Sequence, residues 1–194
     1  MTKTMRRLLT IISLLGIVLN LNIFTMTDAN AKLVKKTDLE NTLYIDLKYG
    51  QVVIEMLPHI APGHVKRVKA LARQKFYDGI VFHRVITGFM AQTGDPTGTG
   101  MGGSKLPDLK AEFSDEPHIR GALSMARAQD PNSANSQFFI VTDDSRFLDG
   151  QYTVWGRVVK GMEFVDQIKK GQGSNGQVNQ PDAMVRVRVA SDVN

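Results

Sequence analysis

The chain has 194 residues, of which 42% are hydrophobic and 22% charged, with no cysteine and a formal charge of +5. That length suits one domain with a substantial core. The lack of cysteine excludes disulfides, thiolate catalysis, cysteine-held metal and a bacterial lipoprotein anchor, and the small positive excess does not argue for nucleic acid.

Met1 to Ala31 reads as an export signal. Lys3, Arg6 and Arg7 give a positive start, an apolar run extends from Leu8 to Met26, and Ala29-Asn30-Ala31 puts small residues where a signal peptidase reads. Cleavage before Lys32 removes Lys3, Arg6, Arg7 and Asp28, a net two positive charges, and leaves +3. The alternative is an uncleaved anchor in the inner membrane. The run of 19 residues would span about 28 Å as a helix, close to the thickness of a bilayer core. Thr10, Ser13, Asn20 and Asn22 weaken that reading, and the small-x-small site favours cleavage.

Lys32 to Asn41 is polar and reads as a loose lead-in to a domain over residues 42–194. Leu43, Ile45 and Leu47 alternate with polar residues, Gly50-Gln51 turns the chain, and Val52, Ile54 and Met56 alternate again, which predicts a hairpin. Ala61 to Gln74 predicts a helix, with Pro62 near its start and Val65, Val68, Leu71 and Ala72 on one face. Strands are expected at Ile80–Arg84, Phe89–Thr93, Ala122–Ala126, Gln137–Thr142 and Thr153–Val159, a short helix at Met162–Ile168, and a closing strand at Met184–Val189. The clusters Lys66-Arg67 with Lys69, and Lys169-Lys170, read as solvated helix faces. About eight short strands and two helices point to a mainly antiparallel sheet, for which closure removes exposed edges. The pattern alone leaves barrel and sandwich both open.

Two blocks carry the chemistry. FHRVITGFMAQTGD, Phe82 to Asp95, plants the guanidinium of Arg84 among residues that would otherwise make an ordinary buried strand pair, with Gly88 permitting a sharp turn. A charge there is costly to desolvate unless it has partners or a task. GALSMARAQDPNSANSQFF, Gly121 to Phe139, ends in an amide-plus-aromatic cluster. An apolar pocket with one cation and two amides, Gln92 and Gln137, suits a neutral peptide rather than a phosphate or a metal. Gly94–Gly103 lacks the Gly-Lys-Ser/Thr ending of a phosphate loop and reads instead as a long surface loop beside the groove.

With GALSMARA, NSQFFI and FLDG following in order, the chain from Tyr44 to Val189 resembles the cyclophilin family of peptidyl-prolyl isomerases. The resemblance implies a closed eight-stranded antiparallel β-barrel capped by two α-helices, with the groove on its outer surface. It implies an isomerase without cofactor or metal that acts on proline-containing polypeptides, and the bacterial look of the motifs with the leader places it in the periplasm; nothing in the sequence demands more than a monomer. Arg84 matches the catalytic arginine, and Gln92 the glutamine that orients it and bonds the substrate backbone. Phe89, Met90, Phe139 and Leu148 match the proline pocket, while Ala126, Arg127 and Ala128 match the segment beside the peptide, where the side chain of Arg127 is expected to matter little. His83 and Gln137 complete the neighbourhood. Phe147 stands where many relatives carry a tryptophan important for ciclosporin, and Tyr152 where a groove histidine is common. Weak ciclosporin binding with retained activity is the consequence expected, since phenylalanine lacks the indole N–H.

Two other functions compete. A peptide-binding chaperone would use the groove without turnover, a reading that a missing Arg84 would have favoured. A hydrolase using His83 with Ser124 or Ser136 lacks an orienting acid at recognisable spacing.

Overall fold

The computed structural model describes residues 38–193; the expected signal, 1–31, and the start of the lead-in, 32–37, lie outside them. The end of the lead-in is ordered. Leu39–Asn41 forms one turn of 3-10 helix, and the Asp38 carboxylate accepts from the Asn41 amide at its start.

The predicted hairpin is β1 (Thr42–Leu47) and β2 (Gly50–Met56), which pair Leu43 with Ile54 and Ile45 with Val52. All four of these side chains are fully buried. α1 (Pro62–Arg73) begins at its proline and buries Val65, Val68, Leu71 and Ala72, the stripe read from the spacing. Its first amides are capped from a distance. Gly63 and His64 donate to the Glu112 carboxylate at 3.0–3.1 Å, which suits the positive end of the helix dipole. Of the basic cluster on α1, Lys66 is exposed as expected, whereas Lys69 pairs with Glu40 and Arg67 donates to the carbonyls of Pro107 and Asn135.

The remaining strands are β3 (Arg84–Ile86), β4 (Met90–Thr93), β5 (Ala122–Met125), β6 (Phe138–Val141), β7 (Val154–Lys160) and β8 (Arg186–Val189), with α2 (Met162–Val165) between the last two. The strand expected over Ile80–Arg84 falls instead at 84–86. Upstream, the chain makes only an isolated bridge from Val81 to Ala183, so no ladder can propagate. Val185, expected in the last strand, lies outside it and is exposed. α2 stops at Val165, although Ile168 beyond it is still buried.

All eight strands form one antiparallel sheet in the order β3-β4-β6-β5-β7-β2-β1-β8. The expected closed barrel is therefore corrected to an open, curled sheet, because no ladder joins β8 back to β3 among the described residues. The seam between them is laced by single contacts: the amides of Gly79 and Phe82 donate to the carbonyls of Met184 and Asp182, and the amide of Val85 to that of Gly176.

The period of two in these strands makes two apolar faces. One packs the main core, where Tyr77, Phe138 and Trp155 meet edge-on at 5.4–5.6 Å. The other carries a smaller cluster of Leu57, Met90, Ala122, Phe139, Val141, Leu148 and Val154. That outer face holds the site.

Candidate active site

β3 and β4 are joined by a tight turn, with Gly88 at φ +70°, a conformation that L side chains rarely adopt. The register of this hairpin sets Arg84 directly opposite Gln92 and Ile86 opposite Met90. Val85 and Ala91 face the core, so their neighbours Arg84, Met90 and Gln92 face outward together.

Arg84 is held along one edge. Nε donates to the Asn175 carbonyl at 2.9 Å and Nη1 to Oε1 of Gln92 at 3.0 Å. Among the described residues it makes no ion pair with a carboxylate, and its other N–H groups have no acceptor there. Partial burial lowers its pKa, yet a guanidinium starts so high that it stays charged.

The amides behind it form a one-way relay. Gln92 Nε2 donates to Gln137 Oε1 at 2.9 Å, and Gln137 Nε2 donates to the carbonyls of Gly100 and Gly102 at 3.0 and 2.8 Å. Because two carbonyls can only accept, each amide is forced into one orientation, and Gln92 must turn its oxygen to Arg84. The loop that supplies those carbonyls folds around Asp95. This buried carboxylate accepts from the Thr97 amide and hydroxyl at 2.7 and 2.8 Å and from the Gly100 amide at 2.6 Å. Burial pushes the Asp95 pKa up, but those hydrogen bonds, with one from the Gly102 amide, outweigh it and hold it at about 2.

A cavity of about 310 Å³ opens beside Arg84. Phe89, Met90, Phe139, Phe147, Leu148 and Tyr152 wall it, and Gln92, Ala126 and Arg127 complete it. Phe147 stands at the rim, 65% exposed, with its ring 5.4 Å from that of Phe89. A second, larger space of about 520 Å³ shares Gln92, Ala126 and Arg127 and adds Ala128, Gln137 and the loop from Gly100 to Ser104. The structure thus gathers twelve of the thirteen expected residues around two adjoining spaces. His83 borders neither of them. It is buried, neither ring nitrogen has a hydrogen-bond partner of normal geometry among the described residues, and burial lowers its pKa more than nearby Asp95 raises it. Its ring packs under the Gly100 loop instead of facing either space.

Two features went unread in the sequence. The side chain of Arg127 is not idle: it donates to the carbonyls of Ala128, Gln129 and Gln151 at 2.8–3.0 Å and lies over the Tyr152 ring at 4.5 Å. It lines both spaces, while its own main-chain N–H and C=O make no hydrogen bond among the described residues. An orienting acid does stand beside Ser124, through His118 rather than His83. His118 Nδ1 lies 2.8 Å from Asp149, and Nε2 lies 2.9 Å from Ser124 Oγ. Hydrolysis does not follow, because Ser124 has no exposed surface.

Residues 42–189 match the family model described as cyclophilin type peptidyl-prolyl cis-trans isomerase/CLD. The chain is 52% identical over 167 residues to a "probable peptidyl-prolyl cis-trans isomerase" of Brucella suis biovar 1, covering 80% of this chain and 85% of that one. It is 42% identical over 151 residues to peptidyl-prolyl cis-trans isomerase B of Bacillus subtilis, covering 76% and 97%. A crystal structure of a cyclophilin from Hirschia baltica superposes with a TM-score of 0.73 at 30% identity, covering 81% of this chain and 76% of that one. One from Cryptosporidium parvum, crystallised in the presence of the dipeptide Ala-Pro, gives 0.71 at 29% identity, covering 76% and 98%. The chain belongs to the cyclophilin family, and it is a peptidyl-prolyl cis-trans isomerase.

Proposed function

We propose that the cavity beside Arg84 grips the proline ring of an X-Pro peptide while Arg84 stabilises the twisted bond. Rotating a prolyl amide costs about 20 kcal/mol because resonance is lost. At the twisted midpoint the nitrogen becomes pyramidal and regains a lone pair. A donor placed there binds that state better than either planar isomer, which is the condition for catalysis.

The observation that carries this reading is the half-committed guanidinium: anchored by Asn175 and Gln92, without a carboxylate, at the edge of an aromatic slot. A charge-assisted hydrogen bond is worth about 1.5–3 kcal/mol, or roughly one to two powers of ten in rate. The grip on the ring and the exclusion of water supply the remainder. Phe89, Met90, Phe139 and Leu148 form the slot, Phe147 and Tyr152 its rim, and the open main chain of Arg127 pairs with the peptide in strand fashion. Ala126 and Ala128 keep that edge low. The Ala-Pro dipeptide of the Cryptosporidium relative supports a proline-containing substrate.

Exchange NMR on a short X-Pro peptide tests the mechanism. Arg84→Ala is expected to lower kcat/KM about ten- to hundredfold, with thermal stability nearly unchanged. A loss of less than twofold would overturn the assignment and favour the chaperone reading.

The leader supports export, with cleavage before Lys32 and a role in folding proteins outside the cytoplasm. The mature N-terminus, read by mass spectrometry after cell fractionation, distinguishes a released periplasmic enzyme from one anchored through an intact leader.

A further inference from the structure

β3 stands first in the sheet order, so its outer edge has no strand to pair with. A short loop takes that place. The Val85 amide donates to the Gly176 carbonyl at 2.7 Å, and the Gly171 and Val178 amides donate to the Val85 and His83 carbonyls at 2.9 and 3.1 Å. The loop is also closed on itself. The Gln172 amide donates to the Gln177 carbonyl at 3.0 Å, and the Gln177 amide to the Asn175 side-chain oxygen at 3.3 Å. At its turn the Asn175 carbonyl accepts from Arg84 Nε at 2.9 Å. No residue of this loop lines either of the two spaces.

We propose that the loop is a brace for Arg84, and that Gly176 and Gly171 are positioning residues that let it lie flush against β3. Gly176 has φ +69°, and a Cβ there would overlap the Ile86 side chain and come within 2.9 Å of the Val85 carbonyl oxygen. A Cβ on Gly171 would overlap the Gly176 carbonyl, the group that accepts from Val85. A side chain at either position therefore lifts the loop from the strand. The Asn175 carbonyl, next in sequence to Gly176, moves with it.

The chemistry explains why the brace matters. An arginine stem has several rotatable bonds, so the single contact from Nη1 to Gln92 leaves the guanidinium free to swing about it. A second contact on the Nε edge fixes its plane and aims the remaining N–H groups one way. A main-chain carbonyl has no rotamer of its own, so the backbone of the loop alone sets where that contact lies. A donor that must meet a nitrogen only in its twisted state gains from being aimed beforehand.

The inference rests on Arg84 acting at the prolyl bond, and the test separates the two. kcat and KM are measured by exchange NMR on an X-Pro peptide at a temperature where every variant is folded. Gly176→Ala is expected to lower kcat about three- to tenfold, the worth of one hydrogen bond. KM should stay within about twofold, because the proline slot is untouched. In an Arg84→Ala background the same change should have no further effect. Gly79→Ala is the matched control: its φ is +79° and its amide also crosses the seam, to Met184, but an added Cβ meets nothing within 4 Å. It should lower stability and leave kcat unchanged. The Arg84 Nε–H resonance, assigned by its loss in Arg84→Ala, should be protected from water exchange in the parent and in Gly79→Ala, but not in Gly176→Ala.

The proposal is overturned if Gly176→Ala keeps kcat within about twofold, if it lowers kcat equally without the arginine, or if Gly79→Ala lowers kcat as much. An unprotected Nε–H in the parent overturns it too. Should Gly176→Ala not fold, Gly171→Ala decides: an unchanged kcat overturns the proposal. Full kcat in Arg84→Ala would instead defeat the reading of the groove, whatever the Nε–H resonance shows.

Discussion

Phe138 and Phe139 are adjacent in β6 and almost equally buried, at 1% and 4% exposed. Phe138 turns inward, where Tyr77 and Trp155 close on it edge-on. Phe139 turns outward and meets Tyr152 at 6.0 Å and His118 at 6.3 Å, with the cavity on its remaining side. Burial does not separate core from site in this protein. What separates them is whether the neighbours close around the ring or leave room for another molecule's ring.

Truncating each ring is the sharpest test of that difference. Phe138→Ala should cost about 3–5 kcal/mol of stability, the usual loss for an aromatic ring in a packed core, with KM unchanged in whatever protein remains folded. Phe139→Ala should cost less stability, because its surroundings are already open on one side, and should raise KM severalfold. Equal stability losses in denaturant, with KM unmoved in both, would erase the distinction.

The polar side of the outer face offers a smaller effect. The folded pKa of Asp95, about 2, lies below its ordinary 3.8, so the ionised form favours the fold. That contribution is complete above about pH 4 and is lost as the pH falls toward 2, amounting to about 2 kcal/mol at most. Unfolding midpoints of the parent should drop across that window, and those of Asp95→Asn should drop less from a lower start. Identical acid profiles would mean that the loop's carboxylate does not stabilise it.

The rim should respond least. Phe147 has no N–H to donate, so the parent is expected to bind ciclosporin more weakly than submicromolar. Phe147→Trp should tighten binding about tenfold at most, the worth of one neutral hydrogen bond. A submicromolar affinity for the parent in calorimetry would contradict this.

Much of the architecture was legible. The alternation in β1 and β2, and the stripe Val65, Val68, Leu71 and Ala72 on α1, follow from local periodicity and survive folding because a single face of each is buried. Arg84 stood out because a lone cation in an apolar strand pair needs a reason, and the resemblance supplied a role for it. Long-range partners were illegible. Nothing near Gly63 announces that Glu112 will cap its helix, and nothing near Ser124 announces Asp149, since each is a pairing of distant residues. The strand expected at Ile80–Arg84 failed for the same cause: its apolar residues are buried against residues 182–184, which offer single contacts rather than a ladder.

That laced border has an effect on the enzyme as a machine. Arg84 belongs to the last strand before the gap, and its Nε is tied to Asn175, in the segment that crosses it. Edges with few cooperative contacts are where folded proteins loosen first. Warming should therefore slacken the arginine's tether while the remaining strands stay paired, so that turnover fades at a lower temperature than the one at which the molecule melts.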